Sequence, residues 1–150
     1  MLNTVIRNVG GFFTAVIAAY ILGAIFISQC NIASIISMNF DVTLAQRFEA
    51  AIHDVTHMTD IYLPIIAISY LIALPIAALF IKYMPNLRMI GYVLGGAAGL
   101  LAIHLIMKLV LGVSGIAPTR TIIGLLAQAI AGGVGGYLFQ LVSMKRTAKD

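Results

Sequence analysis

Glu49, His53, His57 and Asp60 are spaced four, four and three residues apart. At about 100° per residue of helix they stay on one stripe. Imidazole and carboxylate are good ligands for first-row metals, and two histidines four apart on a helix can share one ion. His53 and His57 are therefore the candidate metal ligands, and a divalent metal is the cofactor this stripe would hold. The local sequence is His-Asp-Val-Thr-His. It lacks the glutamate general base of the zinc-protease pattern, so it is not read as a metalloprotease. The plain alternative is a solvated polar face.

A second set of polar residues lies inside apolar sequence. His104 and Lys108 are four apart. A charge inside a membrane span costs roughly 2.5–3.5 kcal/mol at mid-bilayer, but Lys108 is close enough to a span end to snorkel. With a rise of about 1.5 Å per residue, His104 sits ~12 Å below that end. Gln128, Ser69, Tyr70 and Tyr20 fall at comparable depth. Tyr20, Ser69, Tyr70, His104, Lys108 and Gln128 thus form a candidate intramembrane polar layer, facing inward because unsatisfied polar groups are expensive in lipid. Such a layer is either a structural hydrogen-bond network or the wall of a cavity for a metal, a proton relay or a small ligand.

Small residues make up a third pattern. Gly91, Gly95 and Gly99 lie four apart, as two overlapping G-x-x-x-G motifs. Gly124, Gly132 and Gly136 share one face, with Gln128 completing the row, and Gly11, Ala15, Ala19 and Gly23 repeat the register. Lipid supplies no hydrophobic drive between helices, so glycine rows serve close backbone approach. The rows are expected to pack the bundle internally or to meet a partner subunit.

The elements that would position these residues follow from composition. Of 150 residues 61% are hydrophobic and 9% charged, and the mean hydropathy is +1.06. Water cannot solvate so uncharged a surface, which excludes a soluble globule, a disordered chain and a collagen-like fibre. The net charge of +4 is scattered or sits at segment ends, so nucleic acid is not an expected partner. One cysteine, Cys30, excludes an internal disulfide.

About 20 apolar residues are needed per span. Four windows qualify: about 9–30, 61–81, 89–111 and 121–142. The apolar stretch after Arg7 is too long for a secretory signal and lacks an A-x-A-like site, so an uncleaved anchor is expected. Pro64 is expected in the first turn of the second span, and Pro75 is expected to kink it. Short turns make the later spans antiparallel neighbours. Between the first two spans, Thr43 and Gln46 fit a capping box, and Leu44, Phe48, Ile52 and Val55 recur at helical spacing. An amphipathic helix over about 43–58 is expected to lie on the outer surface or to cap the bundle, a continuous extension of the second span being the alternative because nothing before Pro64 firmly breaks it.

The expected fold is thus a single all-α membrane domain over 1–150: four transmembrane helices in an antiparallel bundle, plus this interfacial helix. Arg7, Lys82, Arg88, Lys145, Arg146 and Lys149 fall on one side if both termini are cytoplasmic, as basic loops require. The expected location is the cell inner membrane. Phosphate loops, dinucleotide motifs and Cys-x-x-Cys are absent. The composite expectation is a non-enzymatic accessory or scaffold subunit in lipid, forming a homo-oligomer or part of a larger membrane complex. The rival is a small transporter or ion-handling protein that uses the outer His/acid stripe; a membrane enzyme with a His-bound metal or haem is a weaker third.

Overall fold

The computed structural model describes residues 2–112 and 115–144, and they are all-helical. Five α-helices follow in order: α1 Leu2–Ser37, α2 Leu44–His57, α3 Thr59–Tyr83, α4 Arg88–Leu111 and α5 Ile122–Ser143. Single 3-10 turns at Pro85–Leu87 and Ala117–Arg120 precede α4 and α5. α1, α3, α4 and α5 are long and apolar enough to cross a membrane.

α1 and α3 outrun the apolar windows that predict them at both ends, while α4 and α5 match theirs to within one residue. α1 has 36 residues and continues on both sides of 9–30. Hydropathy ends a window where polar residues begin, but backbone hydrogen bonding does not require apolar side chains. Ser34, for instance, donates from Oγ to the Cys30 carbonyl at 3.1 Å without interrupting α1. α3 starts at Thr59, two residues before the expected span, so Pro64 is its sixth residue rather than part of its first turn. Pro64 and Pro75 each remove one amide donor from a helix that nevertheless runs to Tyr83.

The helix ends follow local chemistry. The capping box of α2 is formed: Gln46 N donates to Thr43 Oγ1 at 3.3 Å, and Thr43 N donates to Gln46 Oε1 at 2.8 Å. Met58 alone separates α2 from α3. α4 stops at Gly112, whose φ of +68° suits a residue without Cβ. Thr121 caps α5 by accepting from Gly124 N at 3.0 Å.

α1 packs on α5 and α3; α4 packs on α3 and α5; α2 rests on α1 and touches α3. Residue numbers run in opposite directions across the α4–α5 seam, where Gly96 meets Gly132 and Tyr92 meets Gly136. The core gathers Ala15, Ala19 and Ala24 of α1, Tyr62, Ile66 and Tyr70 of α3, and Leu100 of α4. Of the most apolar stretch in each long helix, 44% is buried in α1 and 50% in α5, but only 28% in α3 and 17% in the α4 region. The bundle therefore hides α1 and α5 and presents α4.

The glycine rows divide between neighbours. Gly91, Gly95 and Gly99 face α3, where they meet Ile81, Ala77 and Ala73. Gly132 and Gly136 face α4, while Gly124 lies against Pro118 of the preceding turn. A Cβ at Gly96 would sit inside the contact distance of the Gly132 carbonyl oxygen, so backbone meets backbone there.

Candidate functional site

Three long helices supply the centre of the polar layer to one buried spot, and α4 adds a ring. Gln128 of α5 and Tyr62 of α3 are both fully buried. The Tyr62 hydroxyl donates to Gln128 Oε1, and Gln128 Nε2 donates to the Gly23 carbonyl of α1 at 3.3 Å. Any side chain at residue 23 would occupy the space of the Tyr62 hydroxyl, so the glycine is what admits the network. The Tyr20 ring lies 5.9 Å from that of Tyr62, centroid to centroid, and the Tyr20 hydroxyl donates to the Val55 carbonyl at 2.6 Å. The His104 ring stacks on Tyr62 at 6.3 Å, centroid to centroid.

Tyr20, His104 and Gln128 are thus brought together around Tyr62. Ser69 and Tyr70 lie two turns further along α3, about 10 Å away at 1.5 Å per residue. There Tyr70 donates to the Gly132 carbonyl at 2.7 Å, while Ser69 sits beside Gly99. Lys108 is exposed and stands apart from both groups. Two polar atoms of the layer, His104 Nε2 and Ser69 Oγ, are buried with no hydrogen-bond partner among the described residues.

Tyr62, the hub, is absent from the residues that spacing alone singles out. It lies at the edge of its apolar window, where a tyrosine reads as an interfacial anchor. A usable signal was its position seven residues before Ser69 and eight before Tyr70, on the stripe that buries Ile66 and Leu74.

The outer stripe is built differently. Glu49, His53, His57 and Asp60 are all exposed. The His53 and His57 rings stack at 4.1 Å with an interplanar angle of 12°. His57 Nδ1 is 2.9 Å from the His53 carbonyl and 2.8 Å from Thr56 Oγ1, and His53 Nδ1 is 3.5 Å from Asp54. Each histidine has one nitrogen engaged locally, leaving Nε2 as the remaining ligand atom. Among the described residues no three His, Cys, Asp or Glu side chains are grouped to hold a metal ion.

The expectation that the apolar stripe of α2 covers the bundle mouth is met only in part. Val55 and Met58 pack on the core, but Leu44, Phe48 and Ile52 are 74%, 71% and 65% exposed. Polar contacts do the seating instead: Gln29 Nε2 donates to the Arg47 carbonyl at 3.3 Å, and Tyr20 holds Val55. Leu44, Phe48 and Ile52 thus stay outside the packing of the described residues.

Two apolar grooves flank α4. One, of about 510 Å³, runs between α3 and α4 and is floored by Ala73, Ala77, Gly95, Ala98 and Gly99. The other, of about 620 Å³, runs between α4 and α5 along Ala97, Ala129 and Gly133. No known family, curated protein or solved structure matches this chain.

Proposed function

We propose that the chain is a multi-pass protein of the cell inner membrane, with α1, α3, α4 and α5 spanning it as an antiparallel bundle. Both termini lie in the cytoplasm, and α2 lies on the outer surface with Leu44, Phe48 and Ile52 in the lipid interface. Its role is that of a non-enzymatic accessory subunit that joins a larger membrane assembly through α4. One observation carries the role: α4 is the least buried long helix and is flanked on both sides by grooves floored with glycine and alanine. In lipid, surfaces of small residues favour close approach of another helix through packing rather than through water exclusion.

Site-specific photocrosslinking tests this reading. A photoreactive residue at Ala98, in the α3–α4 groove, should capture a discrete protein species in intact membranes. The same residue at Ile17, on the exposed face of α1, should capture lipid alone. Lipid adducts alone at both positions, together with a monomer in native mass spectrometry, would remove the accessory role.

A small transporter or ion-handling protein is the second reading, and His104 favours it. An imidazole nitrogen buried without a partner beside Tyr62 is a costly arrangement. A proton, an ion or a small polar ligand in the layer would satisfy it. Purified protein in liposomes that conducts protons or cations, with the flux lost in His104→Phe, would favour this reading over the accessory one.

A further inference from the structure

At the end of the bundle where α1 begins, α4 begins and α5 finishes, a cleft of about 420 Å³ opens among polar side chains. Arg7 comes from α1, Arg88 from the first residue of α4 and Ser143 from the last residue of α5; Thr4 and Asn8 add neutral hydrogen-bonding groups. Two guanidinium groups therefore converge on one space. Arg88 is held in place: its Nη2 donates to Ser143 Oγ at 2.9 Å, and its guanidinium carbon lies 5.1 Å from the centre of the Tyr92 ring. The Nε atoms of both arginines are buried without a hydrogen-bond partner among the described residues.

Among the described residues no carboxylate lines the cleft. Asp41, Glu49, Asp54 and Asp60 lie beside or within α2 and at the start of α3, and the fifth acid, Asp150, is outside the described residues. Two like charges brought together in a partly buried cleft repel each other unless an anion joins them. α4 also begins here without a side-chain cap, so the positive end of its helix dipole lies at this end of the bundle.

We propose that this cleft is a phosphate-binding site, with Arg7 and Arg88 as its two cationic walls. The planar guanidinium fork matches two phosphate oxygens at once, and two forks on different helices enclose a tetrahedral anion better than one. The phosphate belongs to an anionic lipid headgroup or to a soluble phosphate. Basic pockets between membrane helices on the cytoplasmic side take phosphate headgroups. The lipid source rests on the membrane orientation proposed above; the soluble source does not.

The experiment uses the full chain, delipidated in a neutral detergent, and measures saturable binding by native mass spectrometry and calorimetry. The probes are short-chain phosphatidylglycerol, short-chain phosphatidylcholine and inorganic phosphate. Phosphatidylglycerol or phosphate should bind, with phosphatidylcholine about tenfold weaker, because its choline cancels the charge that the arginines read. Arg7→Gln and Arg88→Gln should each weaken binding about tenfold, the loss expected for a charge-assisted contact. Arg88→Lys should fall between, and Lys82→Gln, outside the cleft, should bind as the parent does.

Binding of phosphatidylglycerol but not phosphate assigns the lipid source, and equal affinity for both assigns the soluble one. No saturable binding of either probe to the parent chain overturns the site. So does unchanged affinity in Arg7→Gln, a variant whose partly exposed position near the start of α1 keeps folding out of the result. A chain that binds phosphate but fails to partition into membranes would sink the membrane reading and leave the site standing.

Discussion

Gly96→Ala is the sharpest test of how this bundle is held together. The added methyl would fall inside the contact distance of the Gly132 carbonyl oxygen, 3.1 Å from the carbonyl carbon and 3.2 Å from Gly136 Cα. All three obstacles are backbone, so no side chain can rotate away. α4 and α5 must separate by on the order of 1 Å along their seam. A gap of that size forfeits about a quarter to a half of each dispersion contact, at about 0.1–0.2 kcal/mol per atom pair, and overpacking of this kind costs about 1–3 kcal/mol. Helix propensity pulls the other way, since alanine is favoured over glycine by about 1 kcal/mol. Gly10→Ala isolates that opposing effect, because a Cβ at Gly10 meets nothing within 4 Å. Unfolding in mixed detergent micelles, followed by circular dichroism, should show Gly96→Ala destabilised and Gly10→Ala neutral or stabilised. Gly132→Ala should cost as much as Gly96→Ala, and the double variant less than the sum, because one separation of the helices serves both methyl groups. Equal stability of Gly96→Ala and Gly10→Ala would refute backbone contact as the basis of the seam.

Gly95→Leu should destabilise more than Leu94→Ala in the same assay, because residue 95 is aimed at Ala77 whereas Leu94 is 62% exposed. Tyr62→Phe and Gln128→Leu should each cost about 1–3 kcal/mol by stranding the partner group, and the double variant should recover part of that loss; strictly additive losses would mean that the bond between them contributes nothing. Reporter fusions at Asn86 should read cytoplasm and a tag at Asp41 the outer side, and the opposite result would reverse the orientation. Zinc titration at pH 7.5 should show no site that His53→Ala/His57→Ala removes, because two ligands fall short of the three or four protein ligands of ordinary zinc sites; a site lost in that variant would make the stripe a metal site after all.

The helical plan was legible because an apolar chain has few ways to satisfy its backbone, and because Thr43 with Gln46 states a helix start outright. Partners were not legible. A row of glycines names the face of a helix but not what the face meets: Gly91, Gly95 and Gly99 turned to α3, and the α4 glycine set against the backbone of α5 is Gly96, one residue off the row. Arg7 and Arg88 carry orientation information in the sequence, but they are 81 residues apart, and only the packing of α1 beside α4 and α5 makes them one cleft. Tyr62 was hidden for a related reason. Its role depends on Gly23 and Gln128, residues of two other helices, and no spacing within α3 encodes either.

Tyrosine and glycine act together in this core. The Tyr62 hydroxyl fills the place of a side chain at Gly23, and the Tyr70 hydroxyl does the same at Gly135 while donating to the carbonyl of Gly132. Each glycine thus gives room for a hydroxyl, Gly135 also for the Ala15 carbonyl, and Gly23 and Gly132 lend their carbonyls as acceptors. That pairing satisfies polar groups of α1, α3 and α5 where water would be scarce, and it ties those three helices to one another. α4 contributes glycines to the packing, but of its two residues in the layer Lys108 is exposed and His104 ends with a nitrogen unbonded, as Ser69 of α3 ends with its hydroxyl. The helix with the most open surface thus also carries an unmet hydrogen bond, on the face it turns to the core. A ligand that satisfied His104 would therefore have to enter the core beside Tyr62, whereas a helix packing on α4 would meet its apolar grooves.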